Sequence, residues 1–431
     1  MDDFKNVFLF AHTFLLFPPD MTCVTEPLCT TLDNGVTVIS ERQPGRRSVA
    51  LSLTVGNGSR DQSPDENGFA HLLEHMLFKG STARDGDALN TAMESLGGTI
   101  NAFTDRESTV LHGTVLAEDA AEAFALLIEL LTKPRFDHAD LRLEKRVVAQ
   151  EAAMAAEDVE DWAQERVLAE IWGAHPLAWP VLGNAQCIRS ASRKRLQAYH
   201  QRVLAESPLI VAAVGEVEHT ALCAWAEAAF WGPRHGARAA MPTPQFHGGQ
   251  KRLRRAQAQQ AHLIWMAPAC SVAAEDYLAY VVANAILGGG TASYLFRELR
   301  EKRGLAYQVF SHLDPLRDCG EWTLYAATPG AQQAQAAAAM AEVLATLLEH
   351  GPTVEDMAWA KRSLRIQLLL GQEDAEIRMS RLTRQWLYLG RLVPVKESLQ
   401  TLASVDADTV LRILREAWTE RFELVCLPAR R

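Results

Sequence analysis

The chain has 431 residues, 48% of them hydrophobic and 22% charged, with a formal net charge of −10. Such a composition suits a globular protein of two to three domains with ample core, and the acidic balance argues against a nucleic-acid binder, which would carry a basic face. Seven cysteines (23, 29, 187, 223, 270, 319 and 426) are odd in number, scattered and without a Cys-x-x-Cys spacing. Neither a disulfide framework nor a thiolate metal site is therefore expected, and a reducing, cytoplasmic compartment is the default.

Residues 7–17 form an apolar run, but about 11 residues fall short of the ~20 a spanning helix needs. Asp2 and Asp3 stand where a signal peptide would be positive, and no small-x-small cleavage site follows. Residues 1–20 are expected to be an extension or the product of an upstream start, with Met21 opening the main body and no membrane association. Residues 48–55 alternate as a strand does, and Gly56-Asn-Gly58 breaks the pattern.

His71-Leu-Leu-Glu74-His75 follows. On a helix, positions i and i+4 share a face, so both imidazoles can reach one ion, and Glu74 falls about 60° to their flank. Two imidazoles suit zinc, and a carboxylate beside an activated water suits general-base work. An ordinary helix with two half-exposed histidines would carry the same five letters, so the motif alone leaves both readings open.

Residues 99–103 and 108–115 read as a hairpin around Thr104-Asp-Arg-Glu107. Asn101 there fits an edge or turn polar residue as well as a binding one. Helices are expected over 118–131 and about 137–172, the second preceded by Pro134 and capped by Asp137. Glu144 and Glu151, two turns apart, share a face within about 20°. Carboxylates on a Lys/Arg-rich helix are usually solvated, so spacing does not make either a ligand. His112 and His200 read as satisfied, half-buried residues.

Residues 209–214 read as a buried strand, and 232–250 gather Pro, Gly, His and Arg without periodicity, as a linker does. The order then repeats: a strand over 261–266, a helix from Glu275, a glycine turn at 288–290 and a helix to Arg303, without a second His-x-x-Glu-His. Arg300 and Arg303 before Gly304 fit a helix C-terminus, where cations favour the dipole and glycine the left-handed turn. The fold class expected is α+β, with two homologous domains, each a mainly antiparallel or mixed sheet packed with helices. The expected division is 1–20 extension, 21–231 metal-bearing domain, 232–250 linker and 251–431 second domain.

In this order, His71-x-x-Glu74-His75, Glu144-Lys-Arg-Val-Val and Glu151 resemble the pitrilysin, insulysin and mitochondrial processing peptidase family of inverted-motif zinc metallopeptidases. Leu32-Asp-Asn-Gly35-Val-Thr-Val-Ile resembles that family's opening strand, Asn101-Ala102-Phe103-Thr104 its edge strand, and His175-Pro176 to Leu182-Gly183 one of its loops. Leu287-Gly-Gly-Gly290 and Leu299-Arg300-Glu-Lys-Arg-Gly304-Leu-Ala-Tyr307 resemble a block of its second domain. The chain departs from the pattern at Ala178-Trp179, where Gly-Arg is common, and near Leu204, where a Tyr is usual.

The resemblance implies a short two-domain member, half of a clam-shell chamber, with one Zn2+ per chain. His71, His75 and Glu151 would be the ligands, Glu74 the base and Glu144 a support behind the site. Asn101, Ala102 and Phe103 would hold an extended peptide, while Arg300 and Tyr307 would hold substrate and steady the tetrahedral intermediate.

Four-domain relatives place the zinc in the first domain and the Arg/Tyr pair in the last, so a two-domain chain needs a second chain facing it. That partner would be another copy or a related non-catalytic chain. The expected function is a zinc metalloendopeptidase acting on peptides or unfolded segments. The alternative is a silent or partner-dependent subunit of a heterodimeric processing peptidase, for instance one maturing peptide-derived cofactors or modified peptides. A zinc amidase for small molecules fits the peptide-holding elements less well.

Overall fold

The computed structural model describes residues 26–230 and 241–429. The extension at 1–20, Cys23 and much of the expected linker lie outside the described residues.

The first half runs β1 (Leu28–Thr31), β2 (Thr37–Arg42), β3 (Ser48–Val55), α1 (Phe69–Leu77), α2 (Gly86–Ser95), β4 (Thr99–Thr104) and β5 (Thr109–Leu116). It continues with α3 (Ala120–Thr132), α4 (His138–Glu157), α5 (Val159–Trp172), α6 (Ala185–Ser190), α7 (Arg193–Glu206), β6 (Leu209–Gly215) and α8 (His219–Ala229). The second half runs β7 (Gly249–Arg255), β8 (Ala261–Ala269), α9 (Tyr277–Gly288), β9 (Gln308–Pro315) and β10 (Gly320–Thr328). It closes with α10 (Gln333–His350), α11 (Val354–Leu370), α12 (Ala375–Leu389), α13 (Val395–Ser404), α14 (Ala407–Thr419) and β11 (Phe422–Pro428). None of these helices is long and apolar enough to cross a membrane.

The first sheet has the order β1-β2-β6-β3-β5-β4 and the second β7-β11-β8-β10-β9. Set β1 aside and the two match strand for strand: each has one parallel pair (β2 with β6, β7 with β11) and is otherwise antiparallel. These are two mixed sheets of one plan, each covered by helices, as the α+β expectation requires. β4 and β9 are the corresponding edge strands.

β6 shows how sequence sets the layers. It is apolar without a break because both its faces are buried. Leu209, Val211 and Ala213 face the core that also holds α1, α3 and α7, while Ile210, Ala212 and Val214 face α12.

The helices cross over between the halves. α5, from the first half, lays Ala163, Val167 and Ile171 on Ile264, Met266 and Leu424 of the second sheet. α12, from the second half, lays Ala375, Met379 and Leu382 on Ile39, Ala50 and Ala212 of the first. Neither packing unit is thus a continuous stretch of chain, whereas the expected division followed chain order alone. Each crossing is fixed by a buried carboxylate. Trp172 Nε1 donates to Glu321 Oε2 at 2.8 Å, and Arg378 Nε to Glu41 Oε2 at 2.7 Å. A third junction joins loops of the two halves, where buried Arg60 bonds Glu107 at 2.7 Å and Asp318 twice at 2.9 Å.

Three local expectations are corrected. The single helix over about 137–172 is two, because Asp158 takes an extended conformation (ψ 121°) and its carboxylate accepts from the N–H groups of Glu160 and Asp161 as an N-cap. That break turns α5 toward the second sheet. Of the expected opening strand at 32–39, residues 32–36 form a turn that joins β1 to β2, with Gly35 at φ 84°, and residues 37–39 begin β2. The helix expected to end at Arg303 is a π-helix over Phe296–Lys302.

Candidate metal centre

α1 carries the motif. Phe69, Leu72, Leu73 and Met76 are buried in the first core, which turns His71, Glu74 and His75 to the half-buried face. The helix begins at Gly68 (φ 94°), whose backbone meets Gly183 (φ 87°) of the loop after Pro176. A Cβ on Gly183 would stand 2.3 Å from Gly68 Cα, so this close approach needs glycine on both sides. α4 packs beside α1 and brings Glu144 and Glu151 to it.

One ligand atom each of His71, His75 and Glu151 lie within 4.8 Å of one another. Glu151 Oε2 is 3.3 Å from His75 Nε2 and 3.8 Å from His71 Nε2, and it is buried without a hydrogen bond. An unpaired buried carboxylate oxygen facing two imidazole nitrogens is costly unless a cation sits among them. A tetrahedral ion with bonds of ~2.0–2.1 Å spaces its ligand atoms by roughly 3.3 Å, so these three fit zinc. Burial, and then the neighbouring His75, push the His71 ring down to about 4. It therefore offers a lone pair at neutral pH.

Glu144 stands behind His75. Its side chain is 2% exposed, its Oε2 is 2.9 Å from His75 Nδ1, and its Oε1 is 2.9 Å from Lys79 Nζ. A carboxylate oxygen accepts, so Nδ1 carries the hydrogen and the Nε2 lone pair points at the cluster. Lys79 was not singled out from sequence. Its position four residues after His75, just past the end of α1, was the available signal.

Glu74 sits on the flank with Oε2 buried and without a hydrogen bond. Burial raises its pKa above the ordinary value, a hydrogen bond from Thr104 and the nearby His75 oppose that, and Glu151 adds to it. A carboxyl held partly desolvated is a stronger proton acceptor than one in water. Thr104, at the end of β4, is a second residue that sequence reasoning passed over.

β4 runs beside this cluster with a strand partner on one side only. Ala102 is buried toward α1, while Asn101 and Phe103 point to the opposite face. Asn101 Oδ1 accepts from the Ala102 N–H at 2.9 Å, and the Phe103 ring meets His112 edge-on at 5.8 Å. His200 is buried with Nε2 2.7 Å from Leu131 O.

Arg300 and Tyr307 form a separate pair. Arg300 lies in the π-helix, its guanidinium 4.6 Å from the centre of the Tyr307 ring, and its Nη1 donates to Tyr307 O at 2.8 Å. Gly304 (φ 57°) turns the chain so that Leu305 N–H returns to Leu299 O at 2.7 Å, a Schellman-type close. The Tyr307 side is 78% exposed, and no hydrogen bond or ion pair among the described residues ties the pair to the metal cluster of its own chain.

Residues 37–185 match the model of the insulinase family (peptidase family M16), and residues 190–364 match the model of the peptidase M16 inactive domain. An uncharacterized zinc protease of Mycobacterium tuberculosis is 35% identical, with 94% of each chain covered. The uncharacterized zinc protease YmxG of Bacillus subtilis is 30% identical over 92% of this chain and 97% of its own. Among solved structures, a peptidase M16 inactive domain from Pseudomonas fluorescens superposes with a TM-score of 0.86 at 22% identity, covering 94% of this chain and 99% of that one. A protease from Helicobacter pylori gives 0.85 at 20% identity over 94% and 100%. The last two likenesses speak to the fold.

Proposed function

The chain belongs to peptidase family M16, and from that premise we propose that it is a zinc-dependent endopeptidase acting on peptides or unfolded segments. The observation that carries the reading is the buried, unpaired Glu151 Oε2 between the Nε2 atoms of His71 and His75. Its relatives are named zinc proteases. His71, His75 and Glu151 would hold one ion per chain. Zinc there supplies Lewis-acid chemistry, acidifying water and polarising a scissile carbonyl.

The chain's own residues do the rest. Glu74 takes a proton from the attacking water on Oε2, the unpaired oxygen, and returns it to the leaving amine, so the carboxylate is restored when the C–N bond has broken. The Thr104 hydroxyl beside this carboxylate favours its ionised, proton-accepting form. Glu144, itself neutralised by Lys79, keeps the His75 ring in the binding orientation. The open edge of β4 takes the substrate as an added strand, whose carbonyl and N–H groups replace the local bond between Asn101 and Ala102.

Arg300 and Tyr307 present donors suited to an oxyanion, and the exposure of Tyr307 is that of a group awaiting a counterpart. We assign them to the metal centre of a facing chain in a dimer, so that two chains enclose the substrate.

The test has two parts. Glu74→Gln should retain stoichiometric zinc and lose hydrolysis of a quenched peptide; a zinc-loaded mutant that still cleaves refutes the base assignment. Mixing Glu74→Gln chains with Tyr307→Phe chains should then restore activity that neither has alone, because a mixed dimer contains one site with an intact base and an intact facing tyrosine. If mixing restores nothing while dimers exchange, the pair does not act across chains.

A further inference from the structure

α12 covers β6 and β3 on the face of the first sheet away from the metal, but not the remaining strip of that face over β5 and β4. A cavity of about 310 Å³ lies there. Its floor is Ser52 and Thr54 of β3, its strand wall Val110 and Phe103, and its helix wall Ile377, Met379 and Leu387 of α12. The charged groups at its rim are engaged: His112 Nδ1 is 2.7 Å from Glu376, and the Arg384 guanidinium lies 5.4 Å from the centre of the Tyr388 ring. What is left for a ligand is mainly apolar, with the Thr54 hydroxyl on the floor without a hydrogen bond, and of a size within the ~300–1,000 Å³ range of binding pockets.

The strand geometry says what reaches it. Successive side chains of a strand point to opposite faces. On β4, Ala102 lies toward α1 and Thr104 lies beside Glu74, while Phe103, between them, is 46% exposed at the cavity. A peptide paired with the open edge of β4 follows the same alternation, so every second side chain turns from the metal face to the cavity face.

We propose that this cavity is a specificity pocket that receives a large apolar side chain of a peptide extended along β4, at a fixed offset from the bond beside the metal. The proposal rests on the peptidase reading above. It makes selection a matter of register: an apolar residue moved by one position leaves the cavity and faces the metal.

The experiment uses the zinc-loaded full chain and peptides in which Phe or Ala occupies one position at a time. With wild type, kcat/KM should favour Phe by about tenfold or more at one offset from the cleaved bond. Ser380→Trp, from an exposed helix position lining the cavity, and Phe103→Ala, from the strand wall, should each level Phe and Ala at that offset. Zinc content and the preferences at the two adjacent offsets should stay as in wild type.

The same peptides are bound to zinc-loaded Glu74→Gln by fluorescence anisotropy, with and without Ser380→Trp, so the Phe/Ala ratio is also read without hydrolysis. A ratio untouched by both cavity variants, a change spread equally over all offsets, or a preference for Phe regardless of offset would each overturn the proposal. If the binding ratio is present and Ser380→Trp cancels it while wild type cleaves nothing, the pocket stands and the peptidase reading falls.

Discussion

Glu144→Gln tests how the centre is built without touching a ligand. The carboxylate uses both oxygens, Oε2 toward His75 Nδ1 and Oε1 toward Lys79 Nζ, each at 2.9 Å. Glutamine keeps the shape but offers one acceptor and one amide donor. If its oxygen turns to His75, the NH2 group faces an ammonium; if the amide turns to His75, Nδ1 must accept and the hydrogen moves to Nε2, where it blocks the lone pair needed for the ion. Lys79 is the more exposed partner at 37% and can swing into water, so the first arrangement prevails in part. Loss of such a support weakens metal binding by about 10–100-fold, or about 1.4–2.7 kcal/mol.

The measurement is zinc affinity by competition with a chromophoric chelator, alongside circular dichroism to confirm the fold. Lys79→Met should weaken zinc in the same direction and by less, since His75 keeps its acceptor. A Glu144→Gln chain that folds and binds zinc within twofold of wild type would refute the claim that Glu144 acts through His75.

Two further predictions concern the crossed helices. Burial pushes the Glu321 carboxyl up to about 7 from 4.5, against the opposing influence of Arg106 and the Trp172 hydrogen bond. A folded-state pKa raised above the unfolded one means the contribution to stability is complete below about pH 4.5 and lost as pH rises through about 7, a change of about 3 kcal/mol. Glu321→Gln, which still accepts from Trp172, should therefore gain about that much over wild type in urea unfolding at high pH and little at low pH; an equal difference at both would show that the native carboxyl titrates as it does in the unfolded chain. Arg378→Met should cost about 3–5 kcal/mol because it strands the buried Glu41 carboxylate, and adding Glu41→Gln should recover most of that. A single-variant loss under about 1 kcal/mol in the urea midpoint would mean the pair does not hold α12 in place.

Much of the centre was legible because helical spacing is local. His71, Glu74 and His75 follow from one another through the turn of α1, and the alternation of residues 48–55 and the unbroken apolar run of β6 disclose their burial directly. The resemblance in motif order carried Glu151 and Glu144, which spacing alone left as ordinary surface carboxylates. Their approach to His71 and His75 depends on how α4 packs against α1, a contact between segments some 75 residues apart.

Sequence by itself thus determined several strands and helices, the duplicated plan and the face of α1 that carries His71, Glu74 and His75, since each rests on periodicity within one segment. Only the tertiary structure decided the rest. It broke the long helix at Asp158 and sent α5 to the second sheet, while α12 crossed to the first. It placed Lys79 behind Glu144 and left the strip beyond α12 open over β5 and β4. Such features depend on which surfaces meet, and apolar faces that match in composition do not specify in the linear chain which sheet they will cover.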